Sequence, residues 1–281
     1  MRNSKLIVSA IVAVSAIAGI GAASAADLPA RTYTKAPAMV VDPAYDWSGF
    51  YVGVNVGGDW RNDSWNYVVD PNPGQQHLGA TSRGLVGAAG TGASNGTNFI
   101  GGGQVGYNWQ SAGSRWVLSV EADISGMGTR TRTAPGFLSG GDPFTVTESD
   151  RANWLATFRG RVGYAWDRSL LYATGGLAIA DIRLASTYTD LLAGDNAAGA
   201  GSRTGVRAGF AVGAGWEQAL AQNWSVKVEY LYTQFDRVGF DYTILSASGF
   251  TNVIHASDRI SDNIVRVGLN YKWGGPVVAR Y

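Results

Sequence analysis

From Trp47 to the C-terminus, apolar and polar residues exchange places every second position in eight separate strand-length segments. In the first, Phe50, Val52, Val54 and Val56 share one face, against Tyr51, Gly53, Asn55 and Gly57. The pattern recurs in Phe99–Trp109, Trp116–Ser125, Asn153–Tyr164, Leu170–Ala180, Val206–Trp216, Trp224–Tyr232 and Val265–Trp273, blurred by glycine and alanine only in the Leu170 segment. Successive side chains of a strand point to opposite faces, so each segment predicts a strand with one apolar face. The connections alternate as well. Short ones lie near Ser111–Ser114, Asp167–Ser169 and Gln218–Asn223; long ones cover Arg61–Gly96, Gly126–Asp150, Asp181–Ser202 and Thr233–Asp258. This predicts an all-β fold, an eight-stranded antiparallel barrel with short turns at one end and long loops at the other. Sixteen strands would leave about 16 residues per strand and loop, too few once about 10 form each strand.

Period two alone fits a soluble barrel with its apolar face inward equally well. The aromatic residues decide between the two. Trp47, Trp109, Trp116, Trp166, Trp216, Trp224 and Trp273 fall at the short-turn ends, with Tyr107, Tyr164, Tyr172 and Tyr271 beside them, while Trp60, Trp154 and Tyr232 lie toward the long-loop end. Two aromatic levels with Val, Ala and Leu between them match the two interfaces of a bilayer, so the expectation is a transmembrane barrel with periplasmic turns and extracellular loops. Charges agree: the apolar faces carry no Asp, Glu, Lys or Arg, and the opposite faces carry Glu121, Asp123, Arg159, Arg161, Arg207, Lys227, Glu229 and Arg266. Glu121 stands five residues from Trp116 and Arg161 five from Trp166, while Asp123 and Arg159 each stand seven away. Glu121 is therefore expected to meet Arg161, and Asp123 to meet Arg159, across neighbouring strands. An eight-stranded barrel is filled by its own side chains. A plugged, salt-bridged lumen follows, with many of the 39 glycines making room for long side chains.

The N-terminus supplies the address. Arg2 and Lys5 precede the apolar run Leu6–Ile20 and the A-x-A site Ala23-Ser24-Ala25, which reads as a secretory signal peptide over 1–25 cleaved after Ala25. Residues 26–46, proline-containing and aperiodic, read as an extended leader, and 47–281 as the barrel. Losing Arg2 and Lys5 takes the formal charge from +1 to −1, which excludes the basic surface that nucleic acid requires. The chain has no cysteine, hence no thiol chemistry. One motif points elsewhere: Gly101, Gly103 and Gly106 spell G-x-G-x-x-G, with Glu121 twenty residues after Gly101. A dinucleotide site needs a helix opening on those glycines. Here they sit inside an alternating strand, as does Glu121, and the nucleotide reading fails.

The stretches DWSGFYVGVNVGGDW (Asp46–Trp60), LLYATGGLA (Leu170–Ala178), VGAGWEQAL (Val212–Leu220), NWSVKVEYLY (Asn223–Tyr232) and VRVGLNYKWGGPVVARY (Val265–Tyr281) resemble the small outer-membrane "porin family" barrels of alphaproteobacteria. These are relatives of the opacity proteins and the OmpA-type membrane domain, often labelled outer-membrane immunogenic proteins. The resemblance implies residence in the outer membrane among lipid and lipopolysaccharide, with no enzymatic activity and no cofactor. It also implies assembly through the barrel assembly machinery, whose terminal-strand pattern is matched by Arg266, Gly268, Tyr271 and Trp273. Eight further residues, Gly274–Tyr281, leave either Trp273 or Tyr281 as the terminal aromatic. Three roles stay open: a structural and surface-interaction protein, a narrow pore for small solutes, and binding of haemin or a host ligand through outer loops. His77 and His255 are the only histidines, and neither lies in a triad pattern. The polar, glycine-rich connections Arg61–Gly96 and Gly126–Asp150 are expected to be mobile contact surfaces, with Trp65 and Tyr67 either exposed there or extending a hairpin.

Overall fold

The structure, a computed structural model, describes residues 45–93 and 95–273. The expected signal peptide, the expected leader before Tyr45 and the segment Gly274–Tyr281 lie outside the described residues. In chain order the elements are β1 (Gly49–Asp63), β2 (Asn66–Asp70), α1 (Ala80–Gly90), β3 (Asn95–Gln110), β4 (Trp116–Gly126), β5 (Thr129–Phe137), β6 (Pro143–Trp166), β7 (Ser169–Asp190), β8 (Ala197–Ala219), β9 (Trp224–Phe235), β10 (Val238–Ser246), β11 (Thr251–Asp258) and β12 (Ile260–Trp273).

The eight expected segments are β1, β3, β4, β6, β7, β8, β9 and β12, and each pairs antiparallel with the next. β12 returns to β1, with Trp273 opposite Phe50, and closes the ring. Tight turns join the strands at one end. In the first of these, Ser114 N–H donates to Ser111 O, and Gly113 takes φ +74°, a value open to glycine at little cost.

The other end departs from the expectation of loops. β6, β7 and β8 run to 24, 22 and 23 residues, about twice what a bilayer needs. β5 pairs with the extended part of β6; β10 pairs with the start of β8, β11 with β10, and β2 with β11. α1 lies over β2, β5 and β6. The physical reason is a change of phase. Along β7 the outward residues Leu171, Leu177 and Ile179 are apolar up to Ile179, and beyond it the apolar residues Ile182, Leu184 and Tyr188 point inward while Arg183 and Thr187 point out. The lower barrel is thus apolar outside, and its extension is apolar inside, like a soluble sheet. Trp65, Tyr67, Val69, Leu78, Val86, Phe144, Val146, Tyr188, Tyr242, Ile244 and Ile254 form the core of that extension. Trp65 and Tyr67 are accordingly buried, and Arg61–Gly96 and Gly126–Asp150 carry folded elements.

Candidate functional site

The lumen of the lower barrel holds a continuous network of buried charges. Glu121, Asp123, Glu217 and Glu229 face Arg159, Arg161, Lys227 and Arg266, one cation for each carboxylate, and all are buried. Glu121 is the hub: it accepts from Arg159 Nη2 at 2.6 Å, from Arg161 Nη1 at 3.0 Å, from Lys227 Nζ at 2.9 Å and from the Tyr51 hydroxyl at 2.7 Å. Asp123 accepts from Arg266 Nη1 and Arg159 Nη2, both at 2.9 Å. Glu229 accepts from Arg266 Nε at 2.8 Å and from the Tyr172 hydroxyl at 3.0 Å. Arg161 reaches Glu217 at 2.8 Å and stacks its guanidinium over Tyr172, 3.8 Å from the ring centroid. An amide chain extends the network: Asn55 Nδ2 donates to Gln104 Oε1, Gln104 Nε2 to Asn270 Oδ1, and Asn270 Nδ2 to Glu217 Oε1. Each buried charge meets opposite charge and hydrogen bonds, the condition for leaving water.

Both expected contacts, Glu121 with Arg161 and Asp123 with Arg159, are made, but from another register. Trp116 stands opposite Tyr164, so Arg159 faces Glu121 directly and Arg161 faces Ser119. The expected pairs meet along diagonals. Arg207 corrects the expectation. It lies two residues beyond the last β8–β9 rung, Gly209–Phe235, half-buried with its guanidinium beside Gly205, and joins no ion pair among the described residues. Glu217, Tyr51 and Tyr172 were not among the expected lumen charges or their partners. Glu217 continues the inward parity of β8 one residue past Trp216, where the alternating segment was expected to end.

The G-x-G-x-x-G glycines belong to this lumen and its wall. Gly106 stands opposite Glu121, and a Cβ there would lie 2.4 Å from the Tyr51 ring that bonds Glu121. Gly268, part of the terminal-strand pattern, faces inward, where a Cβ would come within 3.0 Å of Lys227. Glycine here is a space requirement set by neighbouring long side chains.

Trp109, Trp116, Trp166, Trp216, Trp224 and Trp273 all point outward at the short-turn end; Tyr107 meets Trp109, Tyr164 meets Trp116, and Tyr271 meets Trp224 and Trp273, edge-on or tilted. Trp47 is the exception. It is 1% exposed and packs inside the barrel mouth with Val117, Ala165, Leu170, Tyr172 and Ala219. It precedes β1, so the strand alternation that faces the other tryptophans outward does not govern it. Tyr172 points inward as well, for its parity on β7 is that of Leu170 and Thr174. Both residues leave the belt and pack together at the tight-turn mouth of the barrel, below the charge network.

The histidines sit between aspartates. His77 Nε2 contacts Asp190 at 2.8 Å and Nδ1 contacts Asp195 at 3.2 Å; His255 Nδ1 contacts Asp241 at 2.7 Å and Nε2 contacts Asp70 at 2.9 Å. Both ring nitrogens of each imidazole are thus engaged by carboxylates, His77 in a buried setting and His255 at the surface.

Comparison with known proteins gives this geometry a lineage. Residues 12–272 match the outer membrane protein beta-barrel domain family. The 31 kDa outer-membrane immunogenic protein of Brucella melitensis is 31% identical over 260 residues, covering 89% of this chain and 93% of that protein. The 22 kDa outer membrane protein of Rhizobium leguminosarum is 30% identical and covers 95% of this chain and 99% of its own. The crystal structure of OprG from Pseudomonas aeruginosa aligns over 81% of this chain and 97% of that one, with TM-score 0.44 and 10% identity. The chain belongs to the outer-membrane β-barrel protein family, and its place is the cell outer membrane.

Proposed function

We propose that the chain is a closed, non-enzymatic integral barrel with a structural and surface-interaction role, its tight turns in the periplasm and its folded extension outside the cell. The observation that carries this reading is the filled lumen. From the tight-turn end inward, Trp47 and its apolar neighbours seal the mouth, the Glu121–Arg159 network fills the middle, and the core around Tyr67, Tyr188 and Tyr242 fills the extension. A solute would have to displace paired buried charges and two apolar layers, which argues against the narrow-pore alternative. Within this reading 1–25 is removed on export, 26–46 stays on the periplasmic side, and Gly268, Tyr271 and Trp273 carry the signal read by the barrel assembly machinery. The outward position of Trp273 on the closing strand supports that last role. Planar-bilayer recording of the refolded protein tests the proposal: the wild type should insert without opening, and a large steady conductance would overturn it.

A further inference from the structure

One cross-strand row on the outer wall has a composition that the fold alone does not explain. Thr129 of β5 stands opposite Arg151 of β6, Arg151 opposite Arg183 of β7, and Arg183 opposite Thr204 of β8. All four side chains are exposed on the outer face. Two arginines directly opposite each other on antiparallel strands hold like charges with Cβ atoms about 5 Å apart, an arrangement that destabilises a sheet. Among the described residues neither guanidinium has a hydrogen-bond or ion-pair partner. The outward acid one pleat away, Asp181, is engaged by Asn153 Nδ2 at 2.7 Å. The row beyond it, Thr131, Ser149, Ala185 and Ser202, is uncharged. Arg203, by contrast, donates to Gly239 O at 2.9 Å.

Height gives the row its meaning. On β7 the outward residues from Leu171 to Ile179 form the apolar band, nine residues long, which is the span of a tilted membrane strand. On β6 the corresponding band ends at Trp154. Arg151 and Arg183 therefore project just beyond the hydrocarbon, at the level of lipid headgroups. A phosphate between them would accept charge-assisted hydrogen bonds from both guanidinium groups and turn their repulsion into shared attraction. The flanking threonine hydroxyls suit phosphate oxygens or sugar hydroxyls.

We propose that the row Thr129–Arg151–Arg183–Thr204 binds the phosphate of an outer-leaflet lipid headgroup. This rests on the reading that the extension faces outward; binding in detergent is independent of topology in cells and of conductance, so the two fail separately. The experiment uses the refolded chain in a non-ionic detergent, titrated with a phosphorylated glucosamine lipid and with the same lipid after phosphate removal, followed by native mass spectrometry. Wild type should prefer the phosphorylated lipid by about tenfold or more, and R151Q/R183Q should lose that preference. R115Q, at the opposite end of the barrel, should keep it. Without lipid, R151Q should melt at or above the wild-type temperature because the opposed charge is gone. Equal binding of both lipids, undiminished preference in R151Q/R183Q, or saturation by inorganic phosphate without preference for the lipid would each overturn the proposal. A lower lipid-free melting temperature of R151Q would do so too, since the row would then be structural.

Discussion

Glu121 and Arg159 stand directly opposite each other on β4 and β6, and Arg159 Nη2 donates to Glu121 Oε1 at 2.6 Å. The same carboxylate holds Lys227, whose ammonium bonds both of its oxygens at 2.9 Å. E121Q should therefore strand a buried lysine and weaken two arginines, at a cost of about 3–5 kcal/mol. E121Q/K227M removes a matched acid and base and should recover part of that loss, whereas E121R/R161E should not, because the new arginine would face Arg159 and Lys227. Urea unfolding of the refolded barrels checks the order. Equal stability of all variants would mean a wide, wet lumen.

Trp47 and Trp109 look alike in sequence and are opposite in structure: one is 1% exposed inside the mouth, the other 51% exposed outside it. W47A should cost about 3–5 kcal/mol, the range for emptying a buried aromatic site. W109A should cost far less in detergent. Heat-modifiable gel migration at rising temperature separates the two.

These residues mark where the sequence was readable. Period two defined the eight ring strands because the outward face of each is apolar and carries no charge, and the antiparallel order of the strands followed from alternating connection lengths. The extension was hidden because its apolar face has the opposite parity: Leu184 and Tyr188 point inward where Leu177 points out, so the inversion reads as a broken pattern. α1, with the sequence ATSRGLVGAAG, carries glycines where a helix is normally apolar, and Gly90 is forced by the Tyr67 ring 2.4 Å from its Cβ position. Network membership was legible from parity and charge, except at Arg207, where β8 has already left β9. Which charges touch depended on a two-residue shift between β4 and β6 that no local pattern encodes.

Glycine spacing inside the lumen yields a sharper test. A Cβ at Gly215 would stand 2.4 Å from the Tyr172 hydroxyl, which donates to Glu229 and is carried by the ring on which Arg161 stacks. G215A should cost about 1–3 kcal/mol by overpacking. Y172F/G215A should regain part of that by removing the hydroxyl that clashes. Thermal unfolding of the two variants checks this order.

The extension should be firmer in acid. Burial pushes the Glu148 carboxyl up to about 7 against its Arg132 partner, and burial also pushes Asp258 up to about 7, with Asp150 adding to the shift and the Ser64 N–H opposing it. Unfolded, both ionise near pH 4. Their contribution is thus complete below about pH 4, declines as pH rises, and is gone above about pH 7. His255 works in the same direction: its hydrogen bonds to Asp241 and Asp70 raise its pKa, so the stability it adds is lost as pH rises through the folded value. Limited proteolysis of the extension should be slower at pH 5 than at pH 8, and E148Q/D258N should flatten that difference. Equal cleavage at both pH values would refute the assignment.

Topology is tested most directly by insertion, and the folded extension narrows where an insert is tolerated. Between β2 and α1 the stretch around Gly74 is exposed, with nothing within 4 Å of a Cβ placed there, and the β10–β11 turn around Gly249 is equally open. An epitope at either place should leave the barrel intact and be reachable on unpermeabilised cells. One at Ser111–Ser114 should also leave it intact, since that turn is exposed, but be reachable only after permeabilisation. Insertion beside Val86 of α1 or Ile244 of β10, both fully buried, should abolish surface display by breaking the core they share. Display of the Ser111–Ser114 epitope on intact cells would invert the barrel in the membrane, and the row of Arg151 and Arg183 would then lie at the inner leaflet.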